Sequence, residues 1–177
     1  MPSIWSRAHP RFSFRPLAIN VVSELRKPRP DSRVVNFIAA QPGETLFVTD
    51  ITLAEIVFGI EQMGGCHAPD RPTSVARTQF AALICRRILP ITAAVILRWK
   101  TMVVAGQKRG HTFGQPDLFV AAIAALQDLV VVTRDIREFI EAAVPVFDPW
   151  ASVFHIRGKK GALKAPATLE AVARLWD

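Results

Sequence analysis

Cysteine is nearly missing from this chain. Cys66 and Cys85 stand alone without CxxC spacing, so neither a disulfide framework nor a zinc site is expected. Long apolar runs are missing too: Leu118 to Leu126 reaches nine residues, against roughly 18 for a membrane helix. The opening MPSIWSRAHPRF is basic and lacks the apolar stretch of a signal peptide. These absences lead to the expectation of a cytoplasmic protein that does not engage a membrane. No internal repeat or low-complexity segment is present, which excludes repeat arrays and biased linkers. Acid is scarce relative to base, with 15 Asp and Glu against 22 Lys and Arg and a formal net charge of +7.

The excess cations fall into groups. Arg7, Arg11 and Arg15 mark the N-terminus, and Arg157, Lys159, Lys160 and Lys164 the C-terminal tail. Arg26, Lys27, Arg29 and Arg33 form a third group, and Lys108, Arg109 and His111 a fourth. A polyanion fits this distribution. So does a solvated, soluble surface, and no aromatics interleave with the cations in the manner of a single-strand binder.

Half of the 177 residues are hydrophobic, enough for one domain with a substantial core. LFVT (46–49) reads as a strand, followed by a helix over TLAEIVFGIEQM that ends at Gly64 and Gly65. PTSVARTQFAALICRRI is a second amphipathic helix, LPIT a brief strand, and AAVILRWKTMVVAGQKRG a third helix. A helix over Leu118–Gln127, a strand over Leu129–Val132, a short helix over Ile136–Ala142 and a last strand VPVF follow. Nearer the front, FRPLAI is a poor strand, NVVSEL a short helix, and DSRVVNFIAAQ a helix capped by Asp31 or Ser32. Alternating elements with continuously apolar strands predict an α/β fold, a three-layer α/β/α sandwich around a central parallel sheet.

Ligands of such sheets bind at the carboxyl ends of strands. Glu55 falls in the first turn after LFVT, Asp117 opens its helix, and Asp135 stands three residues beyond the triple valine. Each acid has a structural reading: Thr52 and Glu55 as a capping box, Asp135 and Glu138 as a looser one, Asp117 as a helix-start acid. Together at one sheet edge they suit a hard divalent ion, Mg²⁺ or Mn²⁺, which favours carboxylate and water. An ion held so can activate water against a phosphodiester.

NVVSELRKPRPD, TDITLAEIVFGIEQM, PDLFVAAIAA, VVTRDIREF and VPVFDPW, in this order and spacing, resemble the PIN-domain ribonucleases, specifically VapC-type toxins of bacterial toxin–antitoxin pairs. The resemblance implies cleavage of RNA with Mg²⁺ or Mn²⁺, a cognate VapB-type antitoxin that occludes the site, and a homodimer. It assigns Glu55, Asp117 and Asp135 to three acidic metal-binding and catalytic positions. Thr133 falls on a hydroxyl position and Asn20 on an asparagine that orders the acids. Lys108, Arg109 and Arg134 are the expected RNA-binding cations.

The family's first strand runs into Asp-Thr-Asn, where this chain has Ala18, Ile19 and Asn20. Alanine offers no ligand, so the reading is a ribonuclease impaired at Ala18; the alternative is an inactive PIN-fold module that binds antitoxin or RNA. A receiver-type signalling domain also gathers acids, but no lysine follows a late strand, and Arg134 is the nearest cation. The expected layout is an atypical N-terminal extension or degraded first strand over 1–16, a PIN-like domain over 17–150 and a basic tail over 151–177. Pro16 argues against a central strand at SFRP. Trp99 and Phe58 read as core or dimer surface, and His111 as part of a solvated loop.

Overall fold

Three valines in a row form the centre of the molecule. In a computed structural model, which describes residues 16–18, 20–25, 27–42, 45–62 and 87–163, Val130, Val131 and Val132 are a strand buried on both faces. Alternation sends Val130 and Val132 into one apolar cluster and Val131 into the other. Each such side chain contributes roughly 1.5–3 kcal/mol by leaving water.

The described strands are β1 (Pro16–Ala18), β2 (Val48–Thr49), β3 (Ile88–Leu89), β4 (Val130–Val132), β5 (Val146–Asp148), β6 (Val153–Ile156) and β7 (Lys159–Ala162). The described helices are α1 (Asn20–Leu25), α2 (Ser32–Ala39), α3 (Asp50–Gln62), α4 (Ala93–Lys108), α5 (Gln115–Leu126) and α6 (Arg137–Glu141). Five strands hydrogen-bond in the order β1-β4-β5-β6-β7, and β2 and β3 pair in parallel as a second, smaller sheet. One face of the large sheet packs against α1 and α2 through Val21, Val34, Phe37 and Ile38, with Phe37 tilted on Phe147. The other face packs against α4, α5 and α6 through Met102, Leu118, Ile123 and Phe139. The expected α/β/α layering is present.

Several details differ from the sequence reading. The sheet is parallel across β1, β4 and β5, but β6 and β7 join it antiparallel. The stretch read as a basic tail over 151–177 therefore begins inside the sheet: Phe154 and Ile156 are core residues. Gly161 sits beneath the Phe154 ring, which a β-carbon would strike. The doubtful first strand forms, with Pro16 opposite Val130. As the first residue of its strand, proline lacks only a donor the ladder can spare. The brief strand near LPIT is shifted to Ile88–Leu89, because Pro90 has no N–H to extend it. The helix expected from Leu118 begins at Gln115. The helix expected over PTSVARTQFAALICRRI meets the described residues only at its end, where Ile88 belongs to β3; the rest of it, and the stop at Gly64 and Gly65, lie outside the described residues.

Candidate functional site

The carboxyl ends of β1 and β4 lie side by side, with Ala18 level with Val132. Asn20, the first residue of α1, comes two positions after Ala18. Thr133 follows β4 and is fully buried; its Oγ1 accepts the Asp135 amide at 3.1 Å, folding the backbone so that Asp135 emerges exposed at the strand end. The looser capping box read into Asp135 and Glu138 does not form. Ile136 is the N-cap of α6, without a side-chain cap bond.

The capping box at Thr52 and Glu55 is also displaced. Thr49 Oγ1 accepts the Thr52 amide at 3.1 Å and contacts Thr52 Oγ1 at 3.0 Å, so α3 starts at Asp50 and is capped three residues earlier than expected. Glu55 thus moves from the first turn to the second and is free of capping duty. Its carboxyl is pushed upward in pKa by partial desolvation.

Asp117 is the third residue of α5, behind Pro116. Its carboxyl is pushed up to about 6, first by burial, then by the negative charges of Asp135, Glu55 and Glu138. The three predicted acids therefore share one electrostatic neighbourhood. Glu138 joins them as a fourth, read from sequence only as a cap partner. Its Oε2 accepts the Gly114 amide at 3.3 Å and faces His111 Nε2 at 3.4 Å. His111, expected in a solvated loop, instead has a side chain only 20% exposed, turned onto Glu138 and packed edge-on against Phe113. No spacing rule could reveal this contact, because the partners are 27 positions apart.

The predicted cations differ in availability. Arg134 is exposed beside Asp135, and Lys108 is exposed at the end of α4. The Arg109 guanidinium donates to the Glu141 carbonyl at 2.8 Å, which gives it a structural use.

Among the described residues, no three His, Cys, Asp and Glu side chains stand close enough to share one ion. Mg²⁺ is commonly held through one or two carboxylates while keeping several waters. A set of mutually repelling carboxylates, with Asp117 pushed up to about 6, fits an ion of that kind. It does not fit a closed all-protein cage, and Ala18 adds no oxygen.

A family model described as the PIN domain matches residues 20–145. The chain is 32% identical over 142 residues to the VapC ribonuclease Y4jK of Sinorhizobium fredii, covering 76% of this chain and 96% of that protein. It is 29% identical over 134 residues to Toxin FitB of Neisseria gonorrhoeae, with 76% and 96% covered. Its fold is similar to the crystal structure of FitAcB from Neisseria gonorrhoeae, at a TM-score of 0.63 and 27% identity, covering 76% of this chain and 98% of the other.

Proposed function

The chain belongs to the PIN-domain family as a toxin of the VapC type, and on that premise we propose a divalent-metal-dependent ribonuclease site built on Glu55, Asp117 and Asp135, impaired by alanine at position 18. The observation that carries this reading is the setting of Asp117, whose carboxyl is pushed up to about 6 first by burial and then by the charges of Asp135, Glu55 and Glu138. Structural acids spread over a surface avoid such mutual repulsion; acids that await a cation accept it.

Glu55, Asp117 and Asp135 are the residues that would hold Mg²⁺ or Mn²⁺, directly or through water. Such an ion, when bound, supplies a water of lowered pKa and charge neutralisation at phosphorus. Thr133 fixes the Asp135 backbone, and Asn20 starts α1 beside the end of β1. Arg134 and Lys108, both exposed, would hold flanking phosphates. Alanine at position 18 removes one anchoring carboxylate, and loss of alignment by about 1 Å costs roughly a hundredfold in rate.

The expected outcome is weak Mn²⁺ binding and little RNA cleavage by the chain as it stands, with both increased by Ala18→Asp combined with Ile19→Thr. Strong metal-dependent cleavage by the unaltered chain, abolished by Asp117→Asn, would show that another acid serves in place of residue 18. The second reading, an inactive PIN-fold module that captures antitoxin or RNA, is favoured by Ala18 itself. If the restored variant remains inert while RNA or antitoxin still binds, that reading stands.

A VapB-type antitoxin, an RNA substrate, a homodimer and a cytoplasmic setting complete the proposal. No described helix is long and apolar enough to cross a membrane. Exposed apolar side chains are available for the protein partners: Phe58 on α3, and Ile96, Leu97 and Val104 on α4.

A further inference from the structure

Asp117 depends on the start of α5, and that start has no cap of its own. Gly114 occupies the N-cap without a side-chain bond, and Pro116 in the first turn contributes no amide donor. The register and direction of the first turn therefore depend on what holds the 109–114 loop from outside.

The holding comes from α6, the short helix that begins two residues after Asp135. Glu138 Oε2 accepts the Gly114 amide at 3.3 Å and meets His111 Nε2 at 3.4 Å. Arg109 donates to the Glu141 carbonyl at 2.8 Å, a second tie between the same loop and the same helix. Phe113, between these ties, is buried against Gly106, where a β-carbon would come within 2.5 Å of its ring. Because Asp135 is anchored on Thr133 and α6 follows it directly, a short chain of contacts runs from Asp135 through Glu138 and Gly114 to Asp117.

We infer that Glu138 is a positioning residue of this site: its carboxylate straps the 111–114 loop to α6 and so fixes the start of α5, with Asp117, relative to Asp135. The inference rests on the proposed metal-site reading. A negative charge here also opposes ionisation of Asp117, so charge alone is a poor reason to place Glu138 at this point. An acceptor oxygen aimed at the Gly114 amide is a better one. Glutamine supplies that oxygen without the charge; alanine supplies neither.

The test compares Glu138→Ala and Glu138→Gln in the full chain, after thermal unfolding has shown both to be folded. Backbone amide resonances of Gly114 and Asp117 report the strap without metal, and Mn²⁺ titration reports its use. Glu138→Ala is expected to move both resonances and weaken Mn²⁺ binding about tenfold or more, the scale of lost outer-layer support, while Glu138→Gln stays within about threefold of the parent. Unmoved Gly114 and Asp117 resonances in Glu138→Ala would overturn the strap. Equal loss of Mn²⁺ binding in both variants would overturn it too, by making the charge itself the active feature. A chain that binds no Mn²⁺ even with Ala18→Asp and Ile19→Thr removes the metal reading, and the two resonances then decide the strap alone.

Discussion

Two carboxyls in this molecule respond to acid in opposite directions. Glu24 is buried and hydrogen-bonded by Lys27 and by the Asp31 amide, which holds its pKa down. It favours the fold above the unfolded carboxylate range, and that contribution fades as pH falls. Asp117 is the reverse case. Its folded pKa of about 6 lies above the ordinary aspartate value of 3.8, so between those limits the folded chain binds more protons than the unfolded one. Stability then declines as pH rises through that window. Asp117→Asn should remove this decline and raise the unfolding midpoint at pH 7, while saturating Mg²⁺ should flatten the parent's profile toward that of the variant; denaturant melts at pH 4 to 7 check both. An unchanged profile in Asp117→Asn would remove the shared-field argument. The residue types and positions of Glu55, Asp117 and Asp135 made them legible in the sequence, because each lies just past an apolar strand or opens a helix. Glu138 was not legible as a support for Asp117. Its closeness to Asp135 suggested a local cap, whereas its real partners, His111 and Gly114, are brought in by tertiary packing.

Helices α5 and α6 end alike. After α5, Asp128 takes φ 52° and the Leu129 amide returns to the Ala124 carbonyl at 2.9 Å; after α6, Ala143 takes φ 57° and the Val144 amide returns to the Phe139 carbonyl at 2.9 Å. Both are left-handed caps that turn the chain directly into β4 and β5, and neither uses the glycine that such a cap favours. Left-handed backbone costs a non-glycine residue about 1–2 kcal/mol. Ala143→Gly should therefore stabilise the protein by about 1 kcal/mol and raise Tm by roughly 2–4 °C for a chain of this size. The gain at Asp128→Gly should be smaller, since Asp tolerates this region better than Ala. A fall in Tm for Ala143→Gly would mean that lost chain stiffness outweighs the relieved strain. Long helices such as α4, 16 residues without a proline and followed by Gly110, were legible from their length and boundaries. Three-residue β1 was not: Pro16 spoke against it, and only pairing with a distant valine strand decides. The hairpin of β6 and β7 was masked by its lysines, which belong at an exposed sheet edge as naturally as in a tail.

At the scale of the whole molecule, the cations lie apart from the acids in their duties. If RNA is held by exposed Lys and Arg such as Lys108 and Arg134, binding should survive Asp117→Asn and weaken with salt, at a log–log slope near −0.7 per phosphate contact for single strands. Binding that ignores salt would exclude the phosphate reading. The apolar side chains left exposed on α4 argue for a second copy. Leu97, 71% exposed, should yield a monomer in size-exclusion chromatography when changed to Asp, and a parent that already elutes as a monomer would reject the homodimer. The pairing of Pro16 with Val130 and of Ala18 with Val132 has a temporal consequence as well. A chain is made from its N-terminus, so its first described strand is synthesised early and must wait, unpaired, until the triple valine leaves the ribosome. Loop closure over that span is slow compared with local helix formation. The edge of the sheet that would handle RNA is thus among the last parts to exist, and a product released early has no such edge at all.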